Sequence, residues 1–207
     1  MKVVVICEYS GTVRDAFRKL GHEAISFDIL PTDNLGPHIQ FDVTKLPIDI
    51  WKQFDLAICH PPCTYLTYAA TRHWNAPGRE ELREEGMRFF KWCCDLPIEK
   101  ICVENPVGYP NTVYRKPDQI VHPYYFGDPV QKRTCFWLKN LQPLDYSKTI
   151  IPKPEPMYTC QGEKCKGKAI NWCEGMRGQG EPRWKARSRT FQGIADAMAA
   201  QWGELPI

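Results

Sequence analysis

The 207-residue sequence has no apolar run approaching the roughly 18 residues that a membrane-spanning helix needs, so no membrane association is expected. It also lacks the start of an export signal. Met1 to Cys7 carries one basic residue, and its apolar run soon meets Glu8, which suits a first strand and a cytoplasmic protein. No internal repeat is present, which sets aside repeat arrays. There is no histidine after His122, and no CxxC pair supports the three late cysteines Cys160, Cys165 and Cys173. Their x4 and x7 spacings make a zinc site only a weak candidate. Charge of either sign is nearly balanced, at +3 overall.

What is present is distributed unevenly. Between residues 151 and 189, nine Lys/Arg stand against four Glu, which leaves the rest of the chain with a net charge of −2. A basic segment on a slightly acidic body suits contact with a polyanion, or simply a solvated loop. Trp172 and Trp184 within it can stack on bases or form the centre of a loop-rich insert. Ten cysteines would suggest a disulfide scaffold in a small secreted chain. Seven of them, however, lie in or beside apolar runs, so reduced thiols are expected.

Periodicity predicts an α/β chain. Residues 2–7 read as a strand. A turn at Glu8 to Thr12 follows, with Ser10 or Thr12 able to cap a helix over about 13–20 that Gly21 ends. Glu23 to Phe27 is a second strand closed by Asp28. An acid roughly 20 residues past the first turn is placed to accept ribose hydroxyls, as in a nucleotide-binding half-unit. A short strand over 39–43 carries Asp42, and residues 48–53 form a weak helix. Residues 65–78 read as a long mobile loop, 79–94 as an amphipathic helix, 98–103 and 134–138 as strands. Residues 107–122 are turn-rich, and 140–187 hold no long periodic run. Ser188 is placed to cap a last helix. The expected organisation is a three-layer core over 1–139, a basic Pro/Gly/Cys-rich insert over 140–187, and a returning helix over 188–207.

The chemistry centres on Cys59-His60-Pro61-Pro62-Cys63, which follows the apolar run Phe54 to Ile58. Two prolines forbid helix and stop ladder pairing, so the chain leaves the sheet as a rigid loop carrying a thiol. Cys63 alone could equally be a small packed residue. Two further polar groups follow predicted strands or turns, Glu104-Asn105 and Gln131-Lys132-Arg133. Thiol, carboxylate and guanidinium together suit a nucleophile, an acid that protonates a ring, and a charge stabiliser.

The order of these elements resembles that of the DNA (cytosine-5) methyltransferases, in a small form with a reduced target-recognition segment. The elements are Tyr9-Ser10-Gly11, Asp28, Asp42-Val43-Thr44-Lys45-Leu46, Pro62-Cys63, Glu104-Asn105-Pro106 and Gln131-Lys132-Arg133, covering roughly residues 3–138. The resemblance implies the Rossmann-like S-adenosylmethionine-dependent methyltransferase fold with a mostly parallel central sheet. It implies that Cys63 attacks C6 of a cytosine, that Glu104 protonates N3, that Asn105 holds the loop bearing Cys63, and that Arg133 lies near nucleophile and base, with Gln131 beside it. It implies that Tyr9, Ser10, Gly11 and Pro62 border S-adenosylmethionine, that Asp28 takes its ribose hydroxyls, and that Asp42 takes its adenine amine. DNA is the implied partner, with RNA or a free nucleotide as alternatives, and no protein partner is implied. A duplex base would have to be flipped out.

Several features depart from the family. The glycine-rich turn is reduced to Gly11, Cys135 stands where the family has a second arginine, and Pro106 replaces valine. His60-Pro61-Pro62-Cys63 is also similar to the Asp-Pro-Pro-Tyr loop of amino-group DNA methyltransferases, though it lacks the leading Asp and the aromatic ring. A nucleic-acid-binding fold without turnover is a third reading, motivated by the altered glycine turn.

Overall fold

The computed structural model describes residues 1–156, 158–163, 166–167, 169–170 and 183–204. Strands β1 (Lys2–Ile6), β2 (Glu23–Asp28), β3 (His38–Gln40), β4 (Leu56–Cys59), β5 (Lys100–Pro106), β6 (Gln119–Val121) and β7 (Thr134–Lys139) form one sheet in the order β3-β2-β1-β4-β5-β7-β6. β3, β2, β1, β4 and β5 are parallel; β7 runs antiparallel to both β5 and β6. This is the Rossmann-like, mostly parallel arrangement expected.

The strands are apolar throughout because both faces are covered. Val3, Val5, Leu56, Ile58 and Phe136 point to one side, where they meet Val13 and Phe17 of α1 (Thr12–Lys19) and Ile194, Met198 and Trp202 near the chain's end. Those last residues belong to the final long helix (Gln192–Gly203). Val4, Ile6, Ala57, Val103 and Trp137 point to the other side, against Trp51 and against Met87, Phe90 and Cys93 of α2 (Arg79–Cys94). Each large side chain so buried is worth about 1.5–3 kcal/mol.

Several local expectations change. α1 is not capped by Ser10 or Thr12: Gly11 occupies the cap position at φ 72°, and the Glu8 carboxylate accepts from the amides of Val13 (2.6 Å) and Arg14 (3.2 Å). A buried carboxylate satisfies two orphan amides where a hydroxyl satisfies one. The 65–78 stretch contains a 3₁₀ turn, Tyr68–His73, and Trp74 packs on Tyr68, Tyr109 and the Arg83 guanidinium. The turn-rich 107–122 region holds a short helix, α3 (Pro110–Val113), as well as β6. Asp42 lies just beyond β3 and caps the 3₁₀ turn Val43–Lys45.

Within 140–187, β8 (Tyr158–Thr159) pairs antiparallel with β9 (Ala169–Ile170). Another helix, α4 (Arg183–Ser188), precedes the last one, α5 (Gln192–Gly203). Ser188 therefore ends α4, and Phe191 sits at the start of α5. The Ser188 hydroxyl donates to the Lys185 carbonyl at 2.9 Å, a local bond that the sequence pattern did not distinguish from a cap. Among the described residues, no helix is long and apolar enough to cross a membrane.

Candidate active site

The strand order reverses between β1 and β4, and in α/β sheets a crevice opens at the carboxyl ends of strands on either side of such a point. Two segments of interest leave the sheet there: the Cys7 to Gly11 turn after β1 and the His60 to Cys63 loop after β4.

The Cys63 loop is fixed by its neighbour strand. Asn105, buried in β5, donates from Nδ2 to the Pro61 carbonyl at 2.7 Å. Farther along, the Tyr109 amide donates to the Leu66 carbonyl at 2.7 Å, and Gly108 lies so close that a Cβ there would stand 2.1 Å from that oxygen. The Cys63 carbonyl accepts from the amides of Leu66 (3.0 Å) and Thr67 (2.9 Å), closing a turn that presents the half-buried thiol.

Burial pushes the Cys63 thiol up and the charge of Glu104 pushes it further; Lys132 and Arg187 pull against both. Glu104, on β5, accepts from His60 Nδ1 at 3.1 Å. Burial alone would raise its carboxyl, but the His60 bond, the Lys132 charge and the His60 charge outweigh it and hold Glu104 below the usual carboxylate range. Cys63, Glu104 and Asn105 are thus brought together. The cations acting most on Cys63 are Lys132 and Arg187; Arg133 is exposed and acts on His122 and Cys135. Gln131 donates to the Pro154 carbonyl at 3.4 Å, and Pro62 is exposed on the loop.

The turn after β1 is held from two sides. Gly11 faces the fully buried Arg14, and a Cβ there would lie 2.3 Å from a guanidinium nitrogen. The same guanidinium pairs with Asp15 at 2.7 Å and bonds Ser26, Thr32 and Asn34, drawing the 31–36 loop onto α1. Ser10 Oγ accepts from the Thr12 amide at 3.3 Å. The Tyr9 hydroxyl donates to the Lys185 carbonyl at 2.5 Å and lies 2.8 Å from Ser188 Oγ, which brings α4 against the turn. Cys7, in the left-handed region at φ 61°, is pushed up by burial and by the nearby Asp28, Cys59 and Asp42.

Asp28 and Asp42 thus both act on Cys7 at the carboxyl end of β1. Burial pushes Asp28 up, against a bond of 2.9 Å from the Leu30 amide. Asp42 is held low by the hydroxyl and amide of Thr44. Two carboxylates at strand ends fit a cationic ligand carrying hydroxyls and an amine. Of the metal candidates, Cys160 is disulfide-bonded; Cys165 and Cys173 lie outside the described residues. The disulfide also departs from the expectation that the thiols are reduced, which the seven free cysteines meet. Trp172 lies outside the described residues, and the backbone of Trp184 lies in α4.

Sequence patterns did not single out His60, Lys132, Arg187 or Gly108. An imidazole beside Pro-Pro marks His60, and Lys132 sits between two residues chosen by motif. Arg187 carries no such signal, because its approach depends on where α4 docks.

No protein-family model matches the chain. No curated protein matches it either. Among solved structures, the chain is similar to the methyltransferase EhMeth of Entamoeba histolytica (16% identity, TM-score 0.49). It is also similar to a mutant of DNMT2 from Spodoptera frugiperda (17%, 0.45) and to the Dnmt2 methyltransferase of S. pombe (14%, 0.48). Each likeness covers 74% of this chain and 56%, 56% and 57% of those chains respectively, so the chain spans a little over half their length.

Proposed function

We propose that the protein is an S-adenosylmethionine-dependent methyltransferase that modifies C5 of cytosine in a nucleic acid, DNA first, through a covalent bond between Cys63 and C6. The observation that carries this reading is the tether from Asn105 Nδ2 to the Pro61 carbonyl, which holds a thiol at the same strand ends as a buried, ionised carboxylate.

Aromatic C5 is a weak nucleophile until a thiolate adds across the ring. As the Cys63 sulfur bonds C6, the C5–C6 π pair shifts toward C4 and N3, and N3 takes a proton from the Glu104 side. C5 then carries enamine electron density; once C5 has gained a methyl group, its proton goes to water, Cys63 leaves C6 as a thiolate and the ring is restored. Lys132 and Arg187 favour the thiolate and lie where an anionic backbone could approach. Asp28 and Asp42 would hold S-adenosylmethionine by its ribose hydroxyls and amine, and Tyr9, Ser10 and Gly11 form the turn beside them. When bound, that cofactor supplies an electrophilic methyl group on a sulfonium sulfur.

The test is transfer of labelled methyl groups to duplex DNA, single-stranded DNA, RNA and dCMP in parallel, followed by mass spectrometry of the nucleosides. 5-Methylcytosine from the parent protein and none from Cys63→Ala is expected. N4-methylcytosine, or undiminished C5 transfer by Cys63→Ala, would overturn the reading.

A further inference from the structure

Glu104 poses a problem for its own role. Cytosine N3 is an acceptor, and a group that is to protonate it must carry a proton. Yet the surroundings of Glu104 favour its ionised form. The proton has to be kept elsewhere within reach.

The group within reach is His60. Its Nδ1 lies 3.1 Å from Glu104 Oε2, and the two side chains are 9% and 13% exposed. The Nδ1–H donates to the carboxylate, and Nε2 is buried with no partner among the described residues. Charged and titratable groups surround the pair on every side. Glu8 faces His60 from the turn after β1 and Asp28 from the end of β2. Cys63 and Lys132 face Glu104 from the loop after β4 and from the approach to β7, and the Cys102 and Cys135 thiols feel its charge. Arg187 of α4 acts on Cys63 beside it. The 3.1 Å contact is short enough for one proton to pass between imidazole and carboxylate.

We propose that His60 is a positioning residue that orients Glu104 and stores the proton that Glu104 delivers to the substrate base. This rests on the function proposed above. The His60 Nδ1 proton passes to Glu104, and the carboxyl so formed gives it to N3, which leaves His60 neutral and Glu104 ionised again. After water has taken the C5 proton, Cys63 leaves C6 as a thiolate, and the single proton on N3 returns through Glu104 to His60. No oxidant or further reactant is needed.

The experiment pairs a readout that needs no turnover with one that does. The Glu104 carboxyl is titrated by ¹³C NMR in the parent and in His60→Asn and His60→Ala. Its midpoint should rise in both, more in His60→Ala, because burial then acts with less opposition. An unchanged midpoint would overturn the pairing whether or not the protein methylates cytosine. Should His60→Asn not fold, His60→Gln serves in its place.

In His60→Asn a side-chain amide can still donate to Glu104 but cannot give up its proton. The expected kcat for methyl transfer falls by about 100-fold or more, within the usual range for lost proton transfer, with KM for the cofactor unchanged. The alkaline limb of the kcat profile should also move to lower pH, because a carboxyl alone ordinarily holds a proton about two units less tightly than an imidazole. Parent-like kcat and an unmoved limb would reduce His60 to a packing residue and overturn the proton store.

Discussion

Asn105 Nδ2 donates to the Pro61 carbonyl at 2.7 Å across 44 residues of sequence, joining β5 to the loop that bears Cys63. Pro61 and Pro62 stiffen that loop but remove its amide donors, so an outside donor must fix its position. Asn105→Ala should destabilise the protein by about 1–3 kcal/mol, the cost of an unmatched buried carbonyl, as read by urea unfolding. Methyl transfer should fall further than the stability loss explains, because the thiol is no longer held. Full activity in a destabilised variant would show that the tether serves packing alone.

Gly11 answers to Arg14. Its φ of 72° disfavours a side chain, and a Cβ would meet the buried guanidinium at 2.3 Å. Gly11→Ala should cost at least about 1–2 kcal/mol from the left-handed backbone alone. A melting temperature equal to the parent's would mean that Arg14 can swing aside.

Lys132 sets the reactivity of Cys63. It donates from Nζ to the Arg187 carbonyl at 3.0 Å, and its charge opposes the upward push of burial and Glu104 on the thiol. Lys132→Met should raise the thiol further, so that alkylation of Cys63 by iodoacetamide at neutral pH slows severalfold. Equal rates for the two proteins would show that the ammonium does not act on the sulfur.

Asp33 anchors α4 and the residue just after it. Its carboxylate accepts from Lys185 at 2.6 Å and from Arg189 at 2.8 Å. Slight burial raises its carboxyl, but the two cations hold it below the usual range. A depressed folded value means that the contribution is complete above the unfolded value of about 4 and is lost as the pH falls through the folded one. At neutral pH, Asp33→Asn should be less stable by about 1 kcal/mol or less, and the gap should narrow on acidification. A gap independent of pH would assign the effect to shape and not charge.

The strands, α2 and the mostly parallel sheet were legible because they rest on local periodicity. The 79–94 helix falls on Arg79–Cys94, and the apolar run before His60 is β4. Loop chemistry was less legible. Glu8 outranks Ser10 as the cap of α1 because it is buried and aimed at two amides, which depends on the turn around it. The short helix α4 escaped notice because six residues give too little periodicity. Its placement over Tyr9 is a contact across 176 residues.

The sequence by itself determined that β1, β2, β4, β5 and β7 are strands, that Cys63 leaves the sheet on a proline-stiffened loop, and which acid follows β2. Only the tertiary structure decided which charges act on the thiol, Lys132 and Arg187, and bonded His60 to Glu104 across 44 residues. The physical reason is that hydrophobic periodicity specifies which face of a strand is buried. The direction of a polar side chain at a strand's end is set by strand order and by the loops that pack against it.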